Sequence, residues 1–394
     1  MIDDHDGHRG ATPYITPLPS SVVDRSAIDR SPDRATAIGI GIGIGITMNV
    51  LSIGILAHNE AAIIDRTIVS LAGQSILDPV RAAALGLDAI EILVVPNGCS
   101  DDTAGVATAA LAAFPSHIAT AVRTLDEAGK SNAWNRFVHD LSRPDATLLT
   151  LMDADIEFGS ADVIERLVQR LQDDRIAAAA TDQPVKDYRR KPRLTPLDRL
   201  SQRASAQKTG PRGLCGQLYC GRAEALRRIW LPAGLPVEDG FLAAMLLTDG
   251  FTREPDESAI APVTDVFHFY EPLAGVSAFV HHEARIIVGS VINAWLFTVL
   301  WEAGRTGHAG EFVRQRNVQD PQWVEAVCQQ ARTEGGRWLI PRSFVLGRLA
   351  SLHRQPLGHI TRRAPVALAA TLATLPAVLR ANAILRRPAA RLLW

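Results

Sequence analysis

"TLLTLMDADIEF", residues 147–158, is an apolar run that ends in Asp153-Ala154-Asp155. A strand that is apolar at almost every position is covered on both faces, as in a parallel sheet flanked by helices. Asp is common at strand ends because its side chain bonds nearby backbone and favours turns. Two carboxylates one residue apart at such an end therefore read either as turn chemistry or as a site, and the neighbouring segments must decide.

Those neighbours repeat one pattern. "NVLSIGILAHNE" from Asn49 is a second continuous apolar strand, and "AAIIDRTIVSLAGQ" follows it with Ile63, Ile64, Ile68 and Leu71 on one helical face. "AIEILVVPNGCSDDT" is a third strand that breaks into a turn; "ADVIERLVQRL" repeats the helical spacing at Val163, Ile164, Leu167, Val168 and Leu171, and "RIAAAATD" supplies a further strand. Strands alternating with helices predict an α/β fold with a mostly parallel, doubly wound sheet. Ligands of such sheets bind beyond the carboxyl ends of the strands. "AHNE", "PNGCSDDT" and "DAD" all stand at those ends.

Composition bounds the rest. A chain of 394 residues allows two domains. The formal net charge of −1 gives no overall field for nucleic acid. Cys99, Cys215, Cys220 and Cys328 form no CxxC pair and no ligand cluster in sequence, and read as reduced thiols of a cytoplasmic protein. Residues 1–47 read as a polar, Pro-containing tail, with Met48 as an alternative start just before the first strand. "IGIGIGIGIT" (Ile38–Thr47) lacks the G-x-G-x-x-G spacing of a dinucleotide site. From Ala331 onward there are eleven arginines and one acid, Glu334. That bias reads as a solvated basic face or as attraction to an anionic membrane surface. Ile286–Trp301 and Ala364–Leu379 are uncharged but shorter than the about 20 residues of a spanning helix, so buried helices and interfacial segments both fit.

"SIGILAHNEAAIIDRTIVSL", "ILVVPNGCSDDT", "EAGKSNAWNRF", "LMDADIEF" and "PVEDGFLAAML", in this order, resemble the motifs of family-two glycosyltransferases, from about Val50 to about Tyr270. The resemblance implies a GT-A domain over residues 48–275, followed by a basic helical region over 276–394. It implies inverting transfer of one sugar from a nucleotide-diphosphate donor (UDP- or GDP-sugar) to a glycan or lipid-linked hydroxyl acceptor, dependent on Mg²⁺ or Mn²⁺. By that resemblance Asp155 is the main metal ligand, with Asp153 and His268 beside it, Asp153 also reaching the ribose. His58, Asn59 and Glu60, together with Asn97, Asp101, Lys130 and Asn135, line or support the nucleotide pocket. Gly216 of "LCGQLYCGR" lies near the acceptor, and Arg285 contacts the diphosphate. Asp239 is the base, with Glu238 the next candidate.

The chemistry suits these residue types. A divalent ion between carboxylates and diphosphate oxygens neutralises charge as the leaving group departs, and Mg²⁺ takes hard oxygen ligands. Two departures matter. Pro96 and Asn97 replace the acids common at that position of the family, and "HEARI" (His282–Ile286) replaces the Gln-x-x-Arg-Trp of processive synthases, which favours single-sugar transfer. The alternatives are an inactive nucleotide-sugar-binding protein on this scaffold and a sugar-phosphate nucleotidyltransferase. The second needs a Gly-rich basic first loop that "AHNEAAII" lacks. Acceptor choice is expected in Gln183–Gly210, whose basic residues outnumber its acids. The expected location is cytoplasmic or peripheral to the inner face of the cell membrane.

Overall fold

The computed structural model describes residues 48–189, 213–272, 275–342, 344–345 and 357–387. The expected tail (1–47) and most of the expected acceptor segment (190–210) lie outside the described residues. Eight strands form one sheet in the order β3-β2-β1-β4-β7-β6-β8-β5. They are β1 Val50–Ala57, β2 Ala89–Pro96, β3 Ala119–Val122, β4 Ala146–Asp153, β5 Ile156–Phe158, β6 Ala179–Lys186, β7 Leu218–Arg222 and β8 Ile260–Tyr270. The helices are α1 Ile64–Ala72, α2 Pro79–Ala84, α3 Thr103–Leu111, α4 Lys130–Arg136, α5 Val163–Asp173, α6 Ala223–Leu226, α7 Glu238–Leu247, α8 Gly275–Gly304, α9 Ala309–Gln319, α10 Trp323–Gly335 and α11 Leu357–Leu385.

The expected parallel ladder is present where the sequence alternates strand and helix: β3, β2, β1 and β4 pair in parallel. Beyond β4 the sheet is mixed. β7 runs antiparallel to β4 and β6, β5 antiparallel to β8, and only β6 with β8 is parallel. This half escapes periodicity reading because β5 and β7 are short and their partners are far away in sequence.

Each face of the sheet carries its own core. Leu51, Ile53 and Ile55 of β1 pack with Ile64, Ile68 and Leu71 of α1 and with Val163, Ile164, Leu167, Val168 and Leu171 of α5. Ile63, expected on the same face of α1, is the residue before the helix and is only half-buried. The opposite face meets Trp134, Phe137, Phe241, Leu242 and the buried side of α8. The alternation of β1 residues between two cores explains why the strand is apolar throughout. α8 is the one described helix long and apolar enough to cross a membrane, yet Ile287, Val288, Val291, Ile292, Leu296 and Leu300 are buried inside the protein. The uncharged stretch 286–301 is thus a core segment of this fold.

Gly54 marks how tightly the second core closes on β1. A Cβ there would lie 2.6 Å from the ring of Phe137, which is fully buried. We expect Gly54→Ala to cost about 1–3 kcal/mol of stability through overpacking. Chemical denaturation reads this directly, and an unchanged midpoint would mean that Phe137 can move aside.

Candidate active site

The carboxyl ends of β1, β2 and β4 lie side by side, with Leu56 opposite Asp153 and Ala57 opposite Pro96. "AHNE", "PNGC" and "DAD" therefore converge, as the strand-end argument requires. The centre of the site is the Lys130 ammonium. Its Nζ lies 2.6 Å from Asp153 Oδ1 and 2.8 Å from Glu238 Oε1, and donates to the Gly216 carbonyl at 3.4 Å. Lys130 is the first residue of α4, where a cation opposes the helix dipole. Burial also disfavours its charge, but Asp153 and Glu238 outweigh both and hold the ammonium well above its usual range.

The two acids of α7 divide. Burial works against the charged form of Glu238, yet Lys130 prevails and holds this carboxyl below its usual range. Among the described residues Asp239 has no such partner; burial, then adjacent Glu238, pushes it up. One Asp239 oxygen accepts the Gly240 N–H at 2.7 Å. The helix is preceded by Val237 with no side-chain cap, so Asp239 is not a capping residue, although both acids suit the positive end of the dipole. Gly216 packs under Asp239: a Cβ there would lie 2.7 Å from the Asp239 Cβ. The glycine makes room for the acid's own backbone turn.

Asp153 and Asp155 face different hollows. Asp153 lines one with Lys130, Gly216, Glu238 and Asp239, and Asp155 lines the next with Arg66, Thr67, Tyr270 and Glu271. Burial raises both carboxyls and is only partly offset by Lys130. Asp155 makes no ion pair among the described residues. His268 is fully buried, and its Nδ1 donates to Asp182 at 2.9 Å from both oxygens. Its Nε2 lies 3.4 Å from the Gln217 side-chain oxygen, and the Gln217 backbone carbonyl accepts the Asp153 N–H. A carboxylate behind the imidazole is the usual arrangement around a metal-ligating histidine. The Asp155 carboxylate and the His268 imidazole are donor types that suit a divalent cation; among the described residues the ligand atoms within 4.8 Å of one another are those of Asp182, Cys215 and His268.

Cys215 also comes close, its sulfur within 4.8 Å of ligand atoms of Asp182 and His268. This corrects the expectation that no cysteine joins a ligand cluster. Burial pushes its thiol up to about 12, so the sulfur stays protonated and is a poor ligand. All four cysteines are free.

The remaining expected residues sort into site and scaffold. Glu60 belongs with the acids: burial, Asp155 and Asp153 push it up to about 7. Asn59 is left-handed (φ 56°), and its side-chain oxygen accepts the Ser100 N–H at 2.7 Å. His58 Nδ1 contacts the Asn97 carbonyl at 2.7 Å. Asn97, expected to face the nucleotide, is buried and bonds the Ala57 carbonyl at 2.7 Å and the Gly129 N–H at 2.9 Å. It ties β1 and β2 to the loop before Lys130. Asp101 accepts the Ala61 N–H at 3.0 Å and the Thr103 N–H at 3.1 Å, stapling the loop after β2 to the loop after β1. Asn135 exchanges two 2.9 Å bonds with the Leu231 backbone and braces α4. Arg285, exposed on α8, contributes positive potential at Glu238.

Sequence reasoning missed Asp182, Gln217 and Glu271. Asp182 carried a usable signal, since "RIAAAATD" is another apolar run ending in an acid. Glu271, which adds to the charge at Glu60 and Asp155, carried none.

A predicted shift gives a test. Glu60 has a raised carboxyl in the fold, so the folded state binds more protons than the unfolded chain between about pH 4.5 and 7. Stability from this group is therefore lost as pH rises through that window. Without divalent ions, Glu60→Gln should be about 1–2 kcal/mol more stable than the parent at pH 8 and near equal at pH 4.5. Thermal melts across pH check this, and a pH-independent difference would refute the crowding of acids.

Residues 52–230 match the family model for glycosyl transferase family 2. Among solved structures, the chain is similar to mannosyltransferase PcManGT from Pyrobaculum calidifontis in complex with GDP-Man and Mn²⁺, at 17% identity, 85% of this chain, 86% of that one and a TM-score of 0.48. It is similar to S. aureus TarS 1–349 at 12% identity, covering 86% and 90%, with a TM-score of 0.40. It is similar also to glucosyl-3-phosphoglycerate synthase from Mycobacterium tuberculosis in complex with Mg²⁺ and UDP, at 19% identity, covering 64% and 80%, with a TM-score of 0.39. No curated protein matches. With strand ends, acids and lysine gathered in this order, residues 52–230 are a family 2 glycosyltransferase domain of GT-A type.

Proposed function

We propose that the protein transfers one sugar, with inversion, from a UDP- or GDP-sugar to the hydroxyl of a glycan or lipid-linked acceptor at the inner face of the cell membrane. The observation that carries the reading is the division of labour between two adjacent acids: Glu238 is neutralised by Lys130, while Asp239 makes no ion pair among the described residues and is raised. A base needs a free carboxylate whose proton affinity is lifted toward the working pH.

Asp155, with Asp153 and His268, would hold Mg²⁺ or Mn²⁺. When bound, that ion neutralises charge on the departing diphosphate. Lys130 keeps Asp153 oriented and lends the site its permanent positive charge. The Asp239 carboxylate accepts the acceptor hydroxyl proton as that oxygen bonds to the anomeric carbon. The bond from that carbon to the diphosphate oxygen breaks on the opposite face, and the nucleoside diphosphate leaves with the electron pair. Arg285 stands on the same side as Glu238 and would meet diphosphate charge. Ile286, where processive synthases carry Trp, supports transfer of a single sugar.

Two variants test the assignment on one preparation. Asp239→Asn keeps an oxygen for the Gly240 N–H but no base, so turnover should fall about 10²–10⁴-fold. Nucleotide affinity should stay within a few-fold and stability within about 1 kcal/mol. Asp155→Ala should instead abolish the Mn²⁺-dependent part of nucleotide binding in calorimetric titration. A thermal-shift screen of UDP- and GDP-sugars with Mn²⁺ names the donor. Surviving turnover in the first variant, or an unchanged metal effect in the second, would reject the corresponding role.

A further inference from the structure

One face of α11 is apolar and open. Leu368, Leu372, Leu375 and Leu379 are 50%, 56%, 36% and 60% exposed. At 100° per residue, their 4-3-4 spacing confines them to about 60° of the helix surface. They are all the exposed leucines among the described residues. Ala373 and Pro376 are exposed beside them. Another face of the same helix is packed inside the protein through Ala377, Val378, Ala381 and Leu385. A helix with one face in the core normally turns charged residues outward. This one does not.

Charge says what covers the stripe. Arg386 continues it two turns after Leu379, and Arg380 and Arg387 are exposed next to it. Asn382 accepts the Leu339 N–H at 2.8 Å and donates to the Arg337 carbonyl at 3.2 Å, which fixes exposed Arg337 and Trp338 beside the helix. No acid occurs in the chain after Glu334. A second copy on this face would bring the two arginine-bearing rims together. An anionic bilayer neutralises them and takes up the leucines, while Trp suits the headgroup level. The stripe is about 17 Å long, short of the hydrocarbon core, and its helix is anchored on one side by α8.

We propose that α11 lies flat in the surface of an anionic membrane, with Leu368, Leu372, Leu375 and Leu379 inserted and the arginines and Trp338 at the headgroups. This deepens the membrane-side part of the proposed function by naming the surface that docks. The full-length protein should co-sediment with vesicles containing phosphatidylglycerol, far less with phosphatidylcholine vesicles, and less as salt rises. The pair Leu372→Asp and Leu379→Asp, both solvent-facing, should keep the parent's melting temperature and lower the partition coefficient at least tenfold. The pair Arg386→Glu and Arg387→Glu should weaken binding and flatten its salt dependence. No binding of the parent to anionic vesicles, or equal binding by the leucine variant, would overturn the proposal. So would a parent dimer in light scattering that the leucine variant dissolves, since the stripe would then cover a second copy. Sugar-nucleotide hydrolysis without vesicles reads the transferase separately, and should be the same for parent and leucine variant.

Discussion

The site is organised by one ammonium between two carboxylates. Lys130 joins three elements that are far apart in sequence: the start of α4, the end of β4 through Asp153, and the start of α7 through Glu238. No local rule favours a lysine at a helix start, where the dipole repels it. The pairing with two half-buried acids reverses that balance, and each acid in turn depends on the lysine to remain charged away from water. Removing the lysine leaves two uncompensated carboxylates in the site, whereas removing either acid leaves a single Lys130 ion pair. The scaffold around it is built to hold that spacing. Asn97 fixes the loop before Lys130 to β1 and β2, and Asn135 fixes the far end of α4 to Leu231.

The parallel half of the sheet was legible because it obeys a simple constraint. Strands covered on both faces must be apolar throughout, and helices that cover them must show apolar residues three and four apart. β1, β2, β4 and α5 do so at the expected residues. The mixed half was not legible, since the placement of β7 between β4 and β6 depends on pairing across long separations. Within the site, the acids at strand and helix ends stood out as charges where burial was expected. What each amide does was hidden. Asn97 and Asp101 sit in a nucleotide-pocket motif, yet their hydrogen bonds are spent on the protein's own backbone. Sequence pattern identifies where polar groups gather, but only geometry shows whether their bonding capacity is left for a ligand.

The same distinction applies to His268. The resemblance makes it a metal ligand, and in the fold it also has the burial of a core histidine. It is wholly buried, which a structural residue would be, but its one strong partner is a carboxylate that fixes the tautomer rather than a backbone group that ends its role. Asp182, Gln217 and Cys215 together shape the space around it. Only Asp182 brings charge, because the Cys215 thiol is held protonated by burial.

The electrostatic state of the whole cluster follows from this arrangement. Glu60, Asp153, Asp155, Glu238 and Asp239 share one lysine, with exposed Arg285 as a more distant cation. Four of the five acids are raised, Glu60 to about 7, first by burial and then by the charge of nearby acids. Only Glu238 is lowered, because Lys130 outweighs its burial. A protein gains no stability from such crowding, which supports the proposed binding of a divalent ion. A divalent ion would relieve Asp155 and Asp153 and, through them, Glu60. It would leave Asp239 burdened by its neighbour Glu238, which is the condition a proton acceptor requires.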